Sequence, residues 1–214
     1  MKVHCDKVLT TDDFDAEYAS WKGRTLTVMG DYIKVSQLGL HPRYFDTIYL
    51  FEKKGVLIGF KYDSPVNECY LTTQDGQESE CYADAMPFLF EDCHHTYAVV
   101  KRSYRNVDLK RQVIGLGIID TATLTSLDPK FTWPIWEGID SIHNGAIVIR
   151  KNDSSYGMST LDKFPACNLV SSASFIKKED DEENVYIVTK LNMGSLETQR
   201  CDFSKKLSKI KLPR

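Results

Sequence analysis

Short runs of β-branched and aromatic residues recur along this chain, broken by turn signals roughly every 8–15 residues. That spacing suits strands of about five or six residues and leaves little room for long helices. Leu26 and Val28 alternate with Thr25 and Thr27, and Met29-Gly30-Asp31 turns the chain into Tyr32–Val35. Thr47–Phe51 and Val56–Phe60 flank Lys53-Lys54-Gly55. Cys69–Thr72 and Glu80–Tyr82 flank Asp75-Gly76, the strongest short hairpin signal present. Further strands are expected at Thr96–Ser103, Gln112–Ile119, Ala146–Arg150, Leu169–Ile176, Val185–Lys190 and Thr198–Phe203, with the charged run Lys177–Asn184 as a solvated hairpin tip. The fold class that follows is mainly β, an antiparallel sandwich or one or more barrels.

One α-helix is expected, over Asp12–Lys22. Thr11 is placed to cap it, Asp12 and Asp13 lie in its first turn, and Phe14, Tyr18 and Trp21 recur at helical spacing before Gly23. Asp120–Leu127 is a candidate short helix. No repeat or low-complexity linker divides the chain. It reads as a single β-rich domain, 1–214, with two subdomains, 1–128 and 129–214, as the alternative, the boundary falling near Asp128-Pro129. Just beyond lies Trp133-Pro134-Ile135-Trp136, where proline forbids a central strand.

With 214 residues, the chain can bury roughly 70% of its unfolded surface, so it needs no covalent staples. No run approaches the ~18 apolar residues of a membrane span, and no apolar stretch follows the first residues, so neither membrane nor export is expected. The six cysteines then read as reduced thiols, and the expected compartment is intracellular: the cytoplasm, or the particle if the protein is a viral one.

Charge is unevenly spread. Residues 1–100 carry 9 Lys and Arg against 16 Asp and Glu, and residues 101–214 carry 18 against 14. Eight carboxylates stand between Tyr62 and Val100 without one Lys or Arg. Immediately after comes a basic run, Lys101, Arg102, Arg105, Lys110 and Arg111, interleaved with Tyr97 and Tyr104. On a hairpin these residues would form a cationic ribbon. Such a ribbon would be a solvated face, would meet the 62–100 acidic segment within one molecule or between neighbours, or, with the tyrosines stacking on bases, would bind single-stranded nucleic acid.

The motifs of several enzyme classes are missing. There is no phosphate-cradling Gly-x-x-x-x-Gly-Lys-Ser/Thr loop, no His-Glu-x-x-His pair, no Gly-x-Ser-x-Gly elbow and no Cys-x-x-Cys. Cys93-His94-His95 is the densest set of metal-capable side chains, with Cys69 and Cys81 upstream. A two-residue turn at Asp75-Gly76, the favoured form, sets Cys69 opposite Tyr82 and sends Cys69 and Cys81 to opposite sides of the sheet, which works against zinc, whereas a three-residue turn would bring them to one face as diagonal neighbours. A hydrolase of the two-barrel protease type would use His41 as base, Asp63 or Asp84 to orient it, and Ser155, Ser159 or Cys167 as nucleophile. The Gly-x-Ser/Cys-Gly turn that supplies oxyanion donors in that class is absent. No cofactor is expected. The leading expectation is a non-enzymatic structural or interaction subunit of a larger assembly, possibly a viral or phage one, that binds protein subunits of its own or another kind. The hydrolase and a nucleic-acid-binding β module built on Lys101–Arg111 are the alternatives.

Overall fold

The computed structural model describes residues 1–37, 40–62, 67–92, 94–106, 110–127, 133–134, 138–143, 145–150, 156–161, 174–178, 185–192 and 195–202. The chain opens with β1 (Lys2–His4) and β2 (Lys7–Thr10), both of which join sheets built later. β3 (Ser20–Trp21), β4 (Arg24–Met29), β5 (Tyr32–Ser36) and β6 (Arg43–Phe45) form a first sheet in chain order. β7 (Thr47–Phe51), β8 (Val56–Lys61) and β9 (Glu68–Thr73) form a second, with β2 on the outer edge of β7. β10 (Asp84–Asp92), β11 (His95–Asn106) and β12 (Arg111–Asp120) form a third, with β1 beside β10 and both β13 (Thr125–Ser126) and β14 (Trp133–Pro134) beside β12. β15 (Gly138–His143), β16 (Ala146–Arg150), β17 (Tyr156–Thr160), β18 (Ser174–Lys178), β19 (Val185–Asn192) and β20 (Ser195–Asp202) make a fourth. Every strand pair is antiparallel, and no sheet closes into a barrel among the described residues.

Three apolar cores stack the sheets in chain order. Leu26, Ile33 and Phe45 of the first sheet meet Ile48, Leu50 and Leu57 of the second. Phe51, Ile58 and Leu71 of the second meet Leu89, Val100 and Ile119 of the third. Phe90, Val99 and Ile118 of the third meet Ile139, Ile142 and Ile147 of the fourth. The two inner sheets therefore have no solvent face over their centres. This explains why Val56–Phe60 and Tyr97–Val100 are buried at every position instead of alternating. Each fully buried aliphatic side chain there contributes roughly 1.5–3 kcal/mol. On β8, Val56, Ile58 and Phe60 point to the third sheet, whereas Leu57 points to the first.

The expected hairpins at β4–β5 and β7–β8 form, the first through Gly30-Asp31 with Met29 opposite Tyr32. The α-helix over Asp12–Lys22 does not. In its place stands one 3₁₀ turn, Ala16–Ala19, in which the Tyr18 amide donates to the Asp15 carbonyl at 3.0 Å and the Glu17 amide to Asp15 Oδ1 at 3.1 Å. Ser20 and Trp21 then pair with Thr25 and Arg24, so the backbone groups that would extend a helix are committed to a ladder. Lys22 (φ 49°) and Gly23 (φ 76°) make the two-residue turn between β3 and β4. Phe14, Tyr18 and Trp21 nevertheless share one core, and their spacing reflects that burial. Residues Thr121–Leu124 form a turn before β13, in place of the short helix expected over Asp120–Leu127. The proposed boundary at Asp128-Pro129 lies outside the described residues.

Candidate functional site

The basic run occupies the hairpin β11–β12, whose register runs from Tyr97↔Asp120 to Asn106↔Arg111. β10 pairs with β11 only as far as Lys101, and β14 joins β12 only at Gly115 and Leu116. Past those points, among the described residues, the two strands pair only with each other, as a ribbon reaching about 17 Å at ~3.4 Å per residue. Arg105 pairs in register with Gln112, Tyr104 with Val113, and Asn106 with Arg111. Lys110 is exposed in the turn, at φ 51°, and Ile114 is 42% exposed on the return strand.

At the base of the ribbon the positive charge is already matched. Lys101 Nζ stands 2.5 Å from Asp84 Oδ2, its register partner, and Arg102 Nη1 stands 3.1 Å from Glu80 Oε1. Part of the acidic segment is thus folded against part of the basic one within a single chain. Tyr97 is buried in the core between the third and fourth sheets, its ring stacked on His95 at 6.0 Å, so it presents no open face to a base. Further along the ribbon, β11 carries Arg105, β12 begins at Arg111, and Lys110 stands exposed in the turn.

The hydrolase candidates are spread across the stack. His41 is exposed just before β6, in the first sheet, and Ser159 belongs to β17, in the fourth. Two sheets lie between those layers, and packed sheets stand about 10 Å apart. Asp84 is held by Lys101 in the third sheet. Asp63, Ser155 and Cys167 lie outside the described residues.

The metal-capable residues also separate. Cys93 lies outside the described residues. His95 Nδ1 contacts Asp120 Oδ2 at 2.9 Å, whereas His94 lines an open cleft of about 320 Å³ with Lys54, Thr73, Asp75 and Thr121. The Asp75-Gly76 turn closes over three residues rather than two, since the Thr73 amide donates to the Gln77 carbonyl at 3.0 Å. Cys69 still faces Tyr82, because Ser79 pairs with Leu71 and the extra residue falls at Glu80-Cys81. Cys69 is fully buried, where desolvation pushes its thiol far up, and Cys81 is exposed. Among the described residues, no three His, Cys, Asp or Glu side chains gather as a metal site. Also among the described residues, no helix is long and apolar enough to cross a membrane.

One charged residue escapes the sequence reading. Arg24, the first residue of β4, is 1% exposed, beneath a small cavity beside His41. Its guanidinium lies 5.3 Å from the Trp21 ring and donates through Nη2 to the Thr73 carbonyl. The signal for it is faint: the alternation of Leu26 and Val28, carried one step back, puts Arg24 on the apolar face. Arg43 stands nearby, bonded to Glu78 at 2.6 Å and lying 4.2 Å over the Tyr70 ring. No family model, curated protein or solved structure matches this chain.

Proposed function

We propose that this protein is a non-enzymatic interaction subunit that assembles with copies of itself, the β11–β12 ribbon of one copy meeting carboxylates of the next. The observation that carries this reading is the ribbon itself. It runs past its own sheet with Arg105, Lys110 and Arg111 near its end and an exposed Ile114 on its return strand. A two-stranded ribbon offers backbone donors and acceptors along its edges, a ready template for adding a strand. The acidic excess of residues 1–100 supplies a surface of opposite sign. Such a contact suits a head-to-tail assembly, including the shell of a viral or phage particle, formed in the cytoplasm.

Two features favour this over a nucleic-acid module. Lys101 and Arg102 already contact carboxylates, and Tyr97 is buried. The test is light scattering during size-exclusion chromatography at about 50 and 500 mM salt, a range that shortens electrostatic reach severalfold. The expected mass exceeds 24.5 kDa at low salt and falls toward it at high salt. Replacing Arg105, Lys110 and Arg111 together by Glu abolishes the larger species. A wild-type chain that runs at 24.5 kDa under both conditions overturns the reading.

A further inference from the structure

The edge of a natural sheet is usually guarded by a lysine, a proline, a bulge or a covering element. The outer side of β4 is unguarded. β3 pairs with β4 only at Thr25 and Arg24, and among the described residues no strand continues along Leu26–Met29. The 3₁₀ turn Ala16–Ala19 packs beside β4 but leaves Thr27, Val28 and Met29 exposed, the last two at 43% and 51%. Leu26–Gly30 contains no lysine, arginine or proline, and β4 pairs with β5 without a bulge.

The direction of the backbone groups follows from the turns. Trp21 and Arg24 close a two-residue turn, so Arg24 faces β3, and alternation turns Leu26 and Val28 the same way, out from the sheet. The ribbon has a matching side. The Lys101 carbonyl accepts from the Ala83 amide at 2.8 Å, so Lys101 and its register partner Leu116 both face away from the ladder between β11 and β12. On β12, alternation gives Gln112 and Ile114 the direction of Leu116, beyond the point where β14 joins.

We propose that β12 of one copy adds antiparallel to the open edge of β4 in the next, with Val28 exchanging backbone bonds with Gln112 and Thr27 lying opposite Val113. This names the receiving surface for the ribbon and rests on the self-assembly reading. In that register Ile114, 42% exposed, falls on the same face as Val28, as its diagonal neighbour. The exposed Asp31 of the β4–β5 turn comes alongside Lys110 and Arg111, so opposite charges meet at the tip.

Cross-linking tests the contact. Chains carrying Thr27→Cys and chains carrying Val113→Cys are mixed at about 50 mM salt, oxidised and peptide-mapped. Directly opposed strand residues stand about 4.5–5.5 Å apart at Cα, within the ~4.4–6.8 Å that a disulfide spans. The expected product is a disulfide between positions 27 and 113, which forms only across copies. Should Val113→Cys fail to fold, Met29→Cys and Arg111→Cys test the same register. In parallel, Val28→Pro removes an amide that β5 does not use, and it is expected to raise the concentration at half assembly by about tenfold or more. A disulfide between two copies of position 27 alone assigns the edge to a second β4 and overturns the proposal. Where light scattering shows salt-sensitive assembly, the absence of the 27–113 link, or assembly of Val28→Pro equal to wild type, also overturns it; self-assembly then stands and the ribbon meets another surface. A 24.5 kDa species at both salt concentrations overturns self-assembly and the β4 contact together.

Discussion

The ring of Phe45 occupies the space that a side chain at Gly59 would need. A Cβ built on Gly59 stands 2.6–2.7 Å from three carbons of that ring, closer than any ordinary contact. Phe45 is 1% exposed and wedged between the first two sheets, so it has nowhere to retreat. Gly59→Ala is therefore expected to cost about 1–3 kcal/mol through overpacking. Urea unfolding measures this; an unchanged midpoint would show that the two sheets do not meet this closely.

The turn between β3 and β4 carries the opposite opportunity. Lys22 sits at φ 49°, a region that lysine tolerates poorly and asparagine accepts. Lys22→Asn creates the Asn-Gly pair that two-residue hairpins prefer, and a gain of about 0.5–1 kcal/mol is expected. Thermal melting of the two proteins side by side decides it.

Thiol chemistry separates two cysteines that are neighbours in the β9 hairpin. Iodoacetamide followed by peptide mapping is expected to label the exposed Cys81 in the native protein and Cys69 only after unfolding, since Cys69 is fully buried and its thiolate strongly disfavoured. Native labelling of Cys69 at the rate of Cys81 would contradict the core between the second and third sheets.

Acid should act on the turn after β9. The Thr73 hydroxyl, donating to the Asp75 carboxylate, holds that group below its ordinary value. A depressed folded value means that stabilisation is fully present above the unfolded one, about 3.9, and is lost as pH falls through the folded one. Asp75→Asn is expected to be less stable than wild type at pH 6 and to lose less between pH 5 and pH 3. Urea midpoints at those three values measure it, and parallel losses in both proteins would remove Asp75 from the acid response.

Local pattern carried far into this structure where one face is apolar and the turn chemistry is strong. β4–β5 and Ala146–Arg150 stand where alternation and turn residues put them. The helix expected over Asp12–Lys22 failed because a core between two sheets demands the same aromatic spacing as a helix face, and Trp21 was claimed by Arg24 in a ladder. The stacking of four sheets was not legible, since a run such as Val56–Phe60 looks alike whether one or two neighbours cover it. The same holds at the sites. The ribbon could be read from charge, but the pairing of Lys101 with Asp84 and of Arg102 with Glu80 depends on register. For Arg24 the sequence offers only the faint alternation of β4, which places it on the apolar face without telling how deeply the next sheet buries it.

The first two strands depart from the otherwise sequential construction of the layers. β1 lies on the edge of the third sheet and β2 on the edge of the second, with only Cys5 and Asp6 between them. That short span works as a clasp. For one inner sheet to slide across the other, a strand must first be torn from an edge, with its ladder of hydrogen bonds. The central interface thus resists shear through its backbone as well as through its oily surfaces.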